Sequence, residues 1–282
     1  NNEDLNKYLR ILNVKIGSPE KTKCANDIKK EADEGNIDSM LQYALMLKNG
    51  KGVKKNLFQA AQYLKKSAEN GNKEAMFQYA LILRNGEGIE IDLPCSIYYF
   101  KKCADDGNAD AIYYYALMRK NGEGIEANIS RAAYYFKMSA DGGNTDAMNN
   151  YAQMLVNGEG VGKNLQEAAY YYKKSADRGN SEGMLQYALL IKKSDSYQSN
   201  RYLEMSANKE NDEAMYLYGK YLYNSRNQEE KKRSVNFFKK AARKGNIDGM
   251  YYFAIVLRTG FYVQTNKSEA LRFFKKAADK GH

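Results

Sequence analysis

The sequence predicts an all-α solenoid of stacked antiparallel helix pairs, about eight units long with a degenerate first one. Gly35-Asn36, Gly71-Asn72, Gly107-Asn108, Gly143-Asn144 and Gly179-Asn180 recur in steps of 36 residues. The series continues through Glu210-Asn211, Gly245-Asn246 and Gly281-His282 at steps of 31, 35 and 36. Between these marks the apolar residues fall at helical spacing. The composition, 43% hydrophobic with 2 Pro, supports a helical core and points away from an enzyme-like α/β one.

The units are expected at residues 1–34, 35–70, 71–106, 107–142, 143–178, 179–209, 210–244 and 245–282, together one repeat domain over 1–282. In the first, Leu5, Tyr8, Leu9 and Leu12 make one helical face, Ser18-Pro19 supplies a cap and a first helical residue, and Cys24, Ala25, Ile28 and Ala32 share a second face. Each later unit opens with a helix A. In Glu74–Gly88, Ala75, Met76, Tyr79, Ala80 and Leu83 form its buried stripe, and Asn85-Gly86 ends it, because both residues tolerate the left-handed conformation of a helix C-terminus. An Asn or Asp then caps helix B, at Asn56, Asp92, Asn128, Asn164 and Asn266. Within it Ala132, Ala133, Phe136 and Ala140 line one face, and Gly143 stops the helix. Two helices this short cannot bury their apolar faces alone, so the units must stack on one another. The column Tyr43, Tyr79, Tyr115, Tyr151, Tyr187 and Tyr218 is expected in the core. Two loops depart from the pattern, at Lys192-Lys193-Ser194-Asp195-Ser196 and at Asn224–Glu230, and Tyr262 replaces the second loop glycine of the last unit; a change of curvature in the carboxy-terminal third is expected. The chain begins at Asn1 and stops at a unit boundary without a polar capping helix, so covalently attached repeats or another domain are expected to follow.

The signature A-x-x-x-Y-A-x-x-L-x-N-G-x-G-[IV]-x-x-[ND]-x-x-x-A-x-x-Y-[YF]-K-K-[SA]-A-[DE]-x-G, read from Ala75 to Gly107 and again near Ala147 to Gly179, resembles the Sel-one-like repeat, a branch of the tetratricopeptide superfamily, over essentially the whole chain. The resemblance implies a right-handed superhelix with the A helices on its concave face. It also implies an adaptor role, in settings such as signalling, protein quality control, cell-wall synthesis or host–pathogen contact. The secreted members of that family pair cysteines repeat by repeat, and Cys24, Cys95 and Cys103 do not follow that spacing.

Little in the chain points to catalysis. His282 is the only histidine, so zinc sites and histidine general bases lack their residues, and no cofactor or metal is expected. The Gly-x-Gly loops at Gly50, Gly86, Gly122 and Gly158 recur too often for a phosphate cradle and lack its preceding strand, so they read as helix ends. Cys95 and Cys103 lie eight residues apart on one helix, roughly 12 Å along its axis, too far for a disulfide. Cysteines this few and irregular favour a reducing compartment such as the cytoplasm, or simple indifference to one. Asn128 and Asn266 sit in glycosylation sequons but also at helix caps, which alone explains them. No apolar run is long enough to span a bilayer.

The expected function is therefore a non-enzymatic scaffold that binds a peptide or protein segment on helix A. Removing the core positions from helix A leaves four columns open. They contain Phe77, Tyr113, Tyr216 and Tyr251; Tyr114, Asn150 and Tyr252; Leu81, Leu117 and Gln153; and Arg84, Lys120, Lys192, Tyr223 and Arg258. Aromatic residues with arginine are the usual anchors of interfaces, and the net charge of +10 favours an acidic segment. The alternative is RNA or another polyanion along the B helices, where Lys65-Lys66, Lys101-Lys102, Lys173-Lys174, Lys239-Lys240 and Lys275-Lys276 form a basic stripe. It is disfavoured because those helices are expected to lack interleaved exposed aromatics.

Overall fold

The structure, a computed structural model, describes residues 24–282. Among them the regular elements are all α-helices, and the chain divides into two compact units, one reaching Cys103 and the other running from Ala104 to His282. The expectations for Leu5 to Leu12 and for Ser18-Pro19 lie outside the described residues.

The first unit contains Ala25–Asp33 (α1), Ile37–Asn49 (α2), Leu57–Glu69 (α3), Lys73–Asn85 (α4) and most of Leu93–Asp105 (α5); α1 packs on α2, α2 on α3 and α3 on α4. In the second, Ala109–Asn121 (α6), Ile129–Asp141 (α7), Thr145–Asn157 (α8), Leu165–Asp177 (α9), Ser181–Ile191 (α10), Ser196–Asn208 (α11), Asp212–Tyr223 (α12), Gln228–Lys244 (α13), Ile247–Thr259 (α14) and Lys267–Asp279 (α15) each pack on the next. The A helices α8 and α10, and α12 and α14, also touch. Each unit is thus a stack of helix pairs, the solenoid construction that the sequence predicts.

Asparagine starts both kinds of helix. The B-helix caps act as expected: Asn56, Asn128, Asn164 and Asn266 accept the backbone N–H three residues on, and Asp92 accepts that of Cys95. The Asn of each Gly-Asn dipeptide caps helix A in the same way, and in four of them the amide nitrogen reaches back to an acid of the preceding repeat: Asn72 to Asp38 at 3.2 Å, Asn144 to Asp110 at 2.7 Å, Asn180 to Asp146 at 3.1 Å and Asn246 to Glu213 at 2.8 Å. One residue type therefore satisfies the orphan donors of a helix and ties two repeats together.

Helix A ends on a left-handed glycine at Gly50, Gly86, Gly122, Gly158 and Gly260. The second loop glycine is required for space as well: a Cβ on Gly160 would lie 2.6 Å from the Ile129 carbonyl oxygen. At Glu210 and Tyr262 the sequence drops glycine but the backbone keeps the conformation, with φ of 65° and 53°, whereas at the helix-A ends Lys192 and Asn224 it turns right-handed, with φ of −52° and −86°.

Alanines at 0–3% exposure let the helices approach closely. A tyrosine of helix A meets an aromatic of helix B edge to face in every pair, at 5.1 Å for Tyr43–Tyr63, 4.9 Å for Tyr115–Tyr135 and 5.0 Å for Tyr151–Tyr171. Five of the six tyrosines expected in the core are buried. Tyr187 stays half-buried, in the repeat whose loop lacks the glycine pair.

Candidate interaction surface

The A-helix columns of the first unit are partly consumed by packing. Phe77, expected to be open, is 4% exposed and meets Phe100 of α5 at 6.0 Å, so it belongs to the core. Leu81 and Arg84 are half-buried, and Lys48 in the Arg84 column pairs with Glu87 at 3.6 Å.

In the second unit α6 presents Tyr113, Tyr114, Leu117 and Lys120, all half-buried. Tyr113 leans on Phe136 at 5.9 Å and meets Tyr114 at 5.4 Å. On α8, Asn150 donates to the Asp146 carbonyl at 2.9 Å, while exposed Gln153 accepts from Tyr172 at 3.0 Å and donates to Asn157 at 3.1 Å. Lys192 lies exposed just beyond α10.

Asn149, which stands in the Phe77 and Tyr113 column, was not expected as a site. It is 8% exposed, and its amide nitrogen donates to Asn180 Oδ1 at 3.0 Å. Among the described residues its own carbonyl oxygen is buried with no hydrogen-bond partner. The available signal was the amide itself, in a column otherwise filled by Leu41, Phe77, Tyr113, Leu185, Tyr216 and Tyr251.

The columns on α12 and α14 collapse into one aromatic cluster. Tyr216 is 6% exposed and is core rather than open surface. Its hydroxyl accepts from Lys220 at 3.2 Å, and the Lys220 ammonium lies 5.6 Å from the Tyr216 ring and 5.5 Å from that of Tyr252. Burial pushes the Tyr216 hydroxyl above its usual value against the opposing pull of Lys220. Half-buried Tyr223 packs on Phe261 at 4.8 Å, Tyr252 stacks on Phe238 at 5.2 Å, and Tyr251 stacks on His282 at 4.2 Å. Arg258 is exposed, with its guanidinium 5.5 Å from the Phe274 ring. Phe77 and Tyr216 leave the open columns because helix A is packed on more than one side, and its apolar stripe is wider than the one drawn through Ala75, Met76, Tyr79, Ala80 and Leu83.

The B helices also differ from expectation, since they do carry exposed aromatics. Tyr98 of the first unit is 59% exposed, and Tyr134 and Tyr170 of the second are 61% and 58% exposed at the same helical position. The Lys174 ammonium sits 5.6 Å from the Tyr170 ring. Of the lysine stripe, Lys65 pairs with Glu69 at 3.9 Å and Lys173 with Asp177 at 2.8 Å. Lys29 with Asp33 and Lys137 with Asp141 make the same pair on other B helices, at 2.6 and 3.0 Å. A tyrosine from the next B helix donates to the aspartate of three of these pairs, Tyr63 to Asp33 at 2.5 Å, Tyr171 to Asp141 at 2.8 Å and Tyr202 to Asp177 at 3.4 Å. Burial, then the bond to Asp141, pushes the Tyr171 hydroxyl up to about 12. No helix among the described residues is long and apolar enough to cross a membrane.

The Sel1 repeat family model matches residues 37–72, 73–108, 109–144, 145–180, 212–246 and 247–282, passing over 181–211. A Sel1 repeat protein from Oxalobacter formigenes has the same fold at a TM-score of 0.74 and 22% identity, over 92% of this chain and 76% of that one. The protective antigen c5321 of uropathogenic Escherichia coli, described as displaying an SLR fold, is 24% identical with a TM-score of 0.49, over 92% of this chain and 64% of its own. Yeast Tom70 is 14% identical with a TM-score of 0.51, over 90% of this chain and 54% of its own. No curated protein sequence matches the chain.

Proposed function

Because the chain belongs to the Sel1 repeat family, whose repeats generally serve as protein-interaction scaffolds, we propose that it is a non-catalytic scaffold that holds a peptide on the A-helix face of α6, α8 and α10. The observation that carries this reading is Asn149. A buried carbonyl oxygen without a donor costs stability, and an extended peptide that displaces the half-buried side chains over α8 would bring a backbone N–H to satisfy it. Asn150 and Gln153 on the same helix add hydrogen-bonding capacity, Tyr113, Tyr114 and Leu117 on α6 offer apolar contact, and Lys120 and Lys192 favour an acidic segment. In the aromatic cluster of α12 and α14, Tyr223, Tyr251, Tyr252 and Arg258 are largely engaged with one another or with neighbouring rings, and they form a secondary surface in this reading. Leu81 and Arg84 occupy the matching positions of the first unit.

The test selects binders from a random peptide library and measures their affinity for the wild type, Asn149→Leu and Lys120→Glu. Leucine already fills this column at Leu41 and Leu185, so the first variant should keep its fold. A loss of at least tenfold in both variants is the expected result, and unchanged affinity in both would sink the proposal.

The exposed Tyr134 and Tyr170 beside Lys174 favour a second reading, single-stranded RNA on the B helices by stacking and phosphate contact. A titration across salt decides it: a steep fall of affinity with salt that Tyr134→Ala and Tyr170→Ala weaken supports it, and absence of binding at physiological salt removes it.

A further inference from the structure

Independently of the A-helix face, we propose that the groove between α13 and α15 is a binding site for a small, multiply charged phosphate ligand. The repeat breaks at this groove. The groove of α11 carries Glu204 and Asn208 at the positions concerned; in four others a lysine pairs with an acid four residues on, Lys29 with Asp33 at 2.6 Å, Lys65 with Glu69 at 3.9 Å, Lys137 with Asp141 at 3.0 Å and Lys173 with Asp177 at 2.8 Å. Tyr202 of the following B helix then donates to that Asp177. These grooves neutralise themselves.

Counted back from Gly245 and Gly281, the same three positions in the last groove are Lys239, Arg243 and Phe273. The acid has become arginine, and the tyrosine has lost the hydroxyl that the acid would have accepted from. Among the described residues neither Lys239 nor Arg243 has an ion-pair partner. Across the groove Arg272 and Lys276 form a second like-charged pair four residues apart on α15, a spacing at which like charges destabilise a helix. Lys280 adds a fifth cation, its ammonium 3.7 Å from where a Cβ on Gly245 would stand.

These five cations line a cavity of about 640 Å³, floored by Met250, Phe253 and Phe273. Its carboxylates are Glu269 and Asp279, which leaves an excess of three positive charges. Glu269 is engaged at the start of α15, where it accepts from Asn266 at 3.1 Å and pairs with Arg272 at 3.7 Å. The volume falls in the range of about 300 to 1,000 Å³ that small ligands occupy. Arginine forks and lysine points are the donors that recognise phosphate. A ligand with two or more phosphate groups offsets the excess charge, and the apolar floor accommodates its carbon skeleton.

Calorimetry of the intact chain at physiological salt, with inorganic pyrophosphate and inositol hexakisphosphate as probes, tests this. Sedimentation with phosphatidylcholine vesicles, with and without phosphatidylinositol phosphates, runs beside it. Arg243→Asp restores the residue found at Asp33, Asp141 and Asp177 and so should fold, Lys239→Gln is a second lesion in the site, and Lys65→Gln removes a cation from a self-neutralised groove. The expected result is binding to a probe that falls at least tenfold in both site variants and persists in Lys65→Gln. Soluble probes alone would then identify a free phosphate ligand, and vesicles alone a lipid headgroup. Absence of binding by the wild type in both arms overturns the proposal. So does retention by both site variants, an equal loss in all three, or single-stranded RNA being bound through Arg243 when neither phosphate probe is.

Discussion

At Asn149 the side chain donates to Asn180 but leaves its own oxygen buried and unmatched. Leaving such an acceptor unpaired costs about 1 to 3 kcal/mol, more than the roughly 1 kcal/mol gained from a typical neutral hydrogen bond. Asn149→Leu loses one modest bond and removes one unmet demand, while Asn180 still caps its helix through Gly183 at 3.0 Å. Denaturant unfolding should therefore show the variant about 1 kcal/mol more stable than the wild type. A destabilised variant would mean that the oxygen is satisfied in solution. Tyr115 shows the opposite balance: it is 3% exposed, meets Tyr135 at 4.9 Å and accepts from Arg119 at 3.1 Å. Tyr115→Ala should cost about 3 to 5 kcal/mol and abolish slow amide exchange in α6 and α7. Unaltered protection there would refute the core placement of the column.

Between elements, the loops and grooves impose separate demands. Gly160 has φ of 69° and no room for a Cβ beside Ile129, whereas Gly162 in the same loop has nothing within 4 Å. Gly160→Ala should cost about 1 to 3 kcal/mol, and Gly162→Ala less than about 1 kcal/mol, by urea unfolding. Equal effects would show that the loop relaxes around the added methyl. The groove between α7 and α9 makes a pH prediction. The Tyr171 hydroxyl has its folded value raised to about 12 from 10.0. Above pH 10 the unfolded chain gives up this proton while the folded one keeps it, so the contribution is intact below pH 10 and is lost as pH rises through about 12. Tyr171→Phe should be less stable than wild type at neutral pH and should lose less stability between pH 10 and 12 when unfolding is followed across that range.

For the whole molecule, what the sequence disclosed follows from what repetition constrains. Helix boundaries, caps and left-handed glycines were legible because backbone demands recur identically, and Asn56 or Gly86 has only one good physical reason to be there. The open columns were less legible. Phe77 and Tyr216 look like exposed neighbours of a buried stripe until Phe100 and Tyr252 are placed against them, and those contacts are made between helices, which the spacing within one helix does not disclose. Asn149 was passed over because satisfaction of a polar atom depends on its partners and not on its spacing. The same logic identifies where the second unit should open first. A stack of repeats holds each one only through its neighbours, so the weakest repeat sets the local opening free energy. Residues 181–211 lie outside every family match, α10 is 11 residues long where α6 and α8 are 13, and its core tyrosine is only half-buried. Exposed Lys192 and Lys193 lie in its rebuilt loop. Limited trypsin digestion of the intact chain should therefore cut first at these lysines within the second unit. Amide exchange in α10 and α11 should run at least about tenfold faster than in α8 and α9. Uniform exchange across these four helices, with first cuts elsewhere in the second unit, would mean that the shortened repeat is held as firmly as those that keep their glycines.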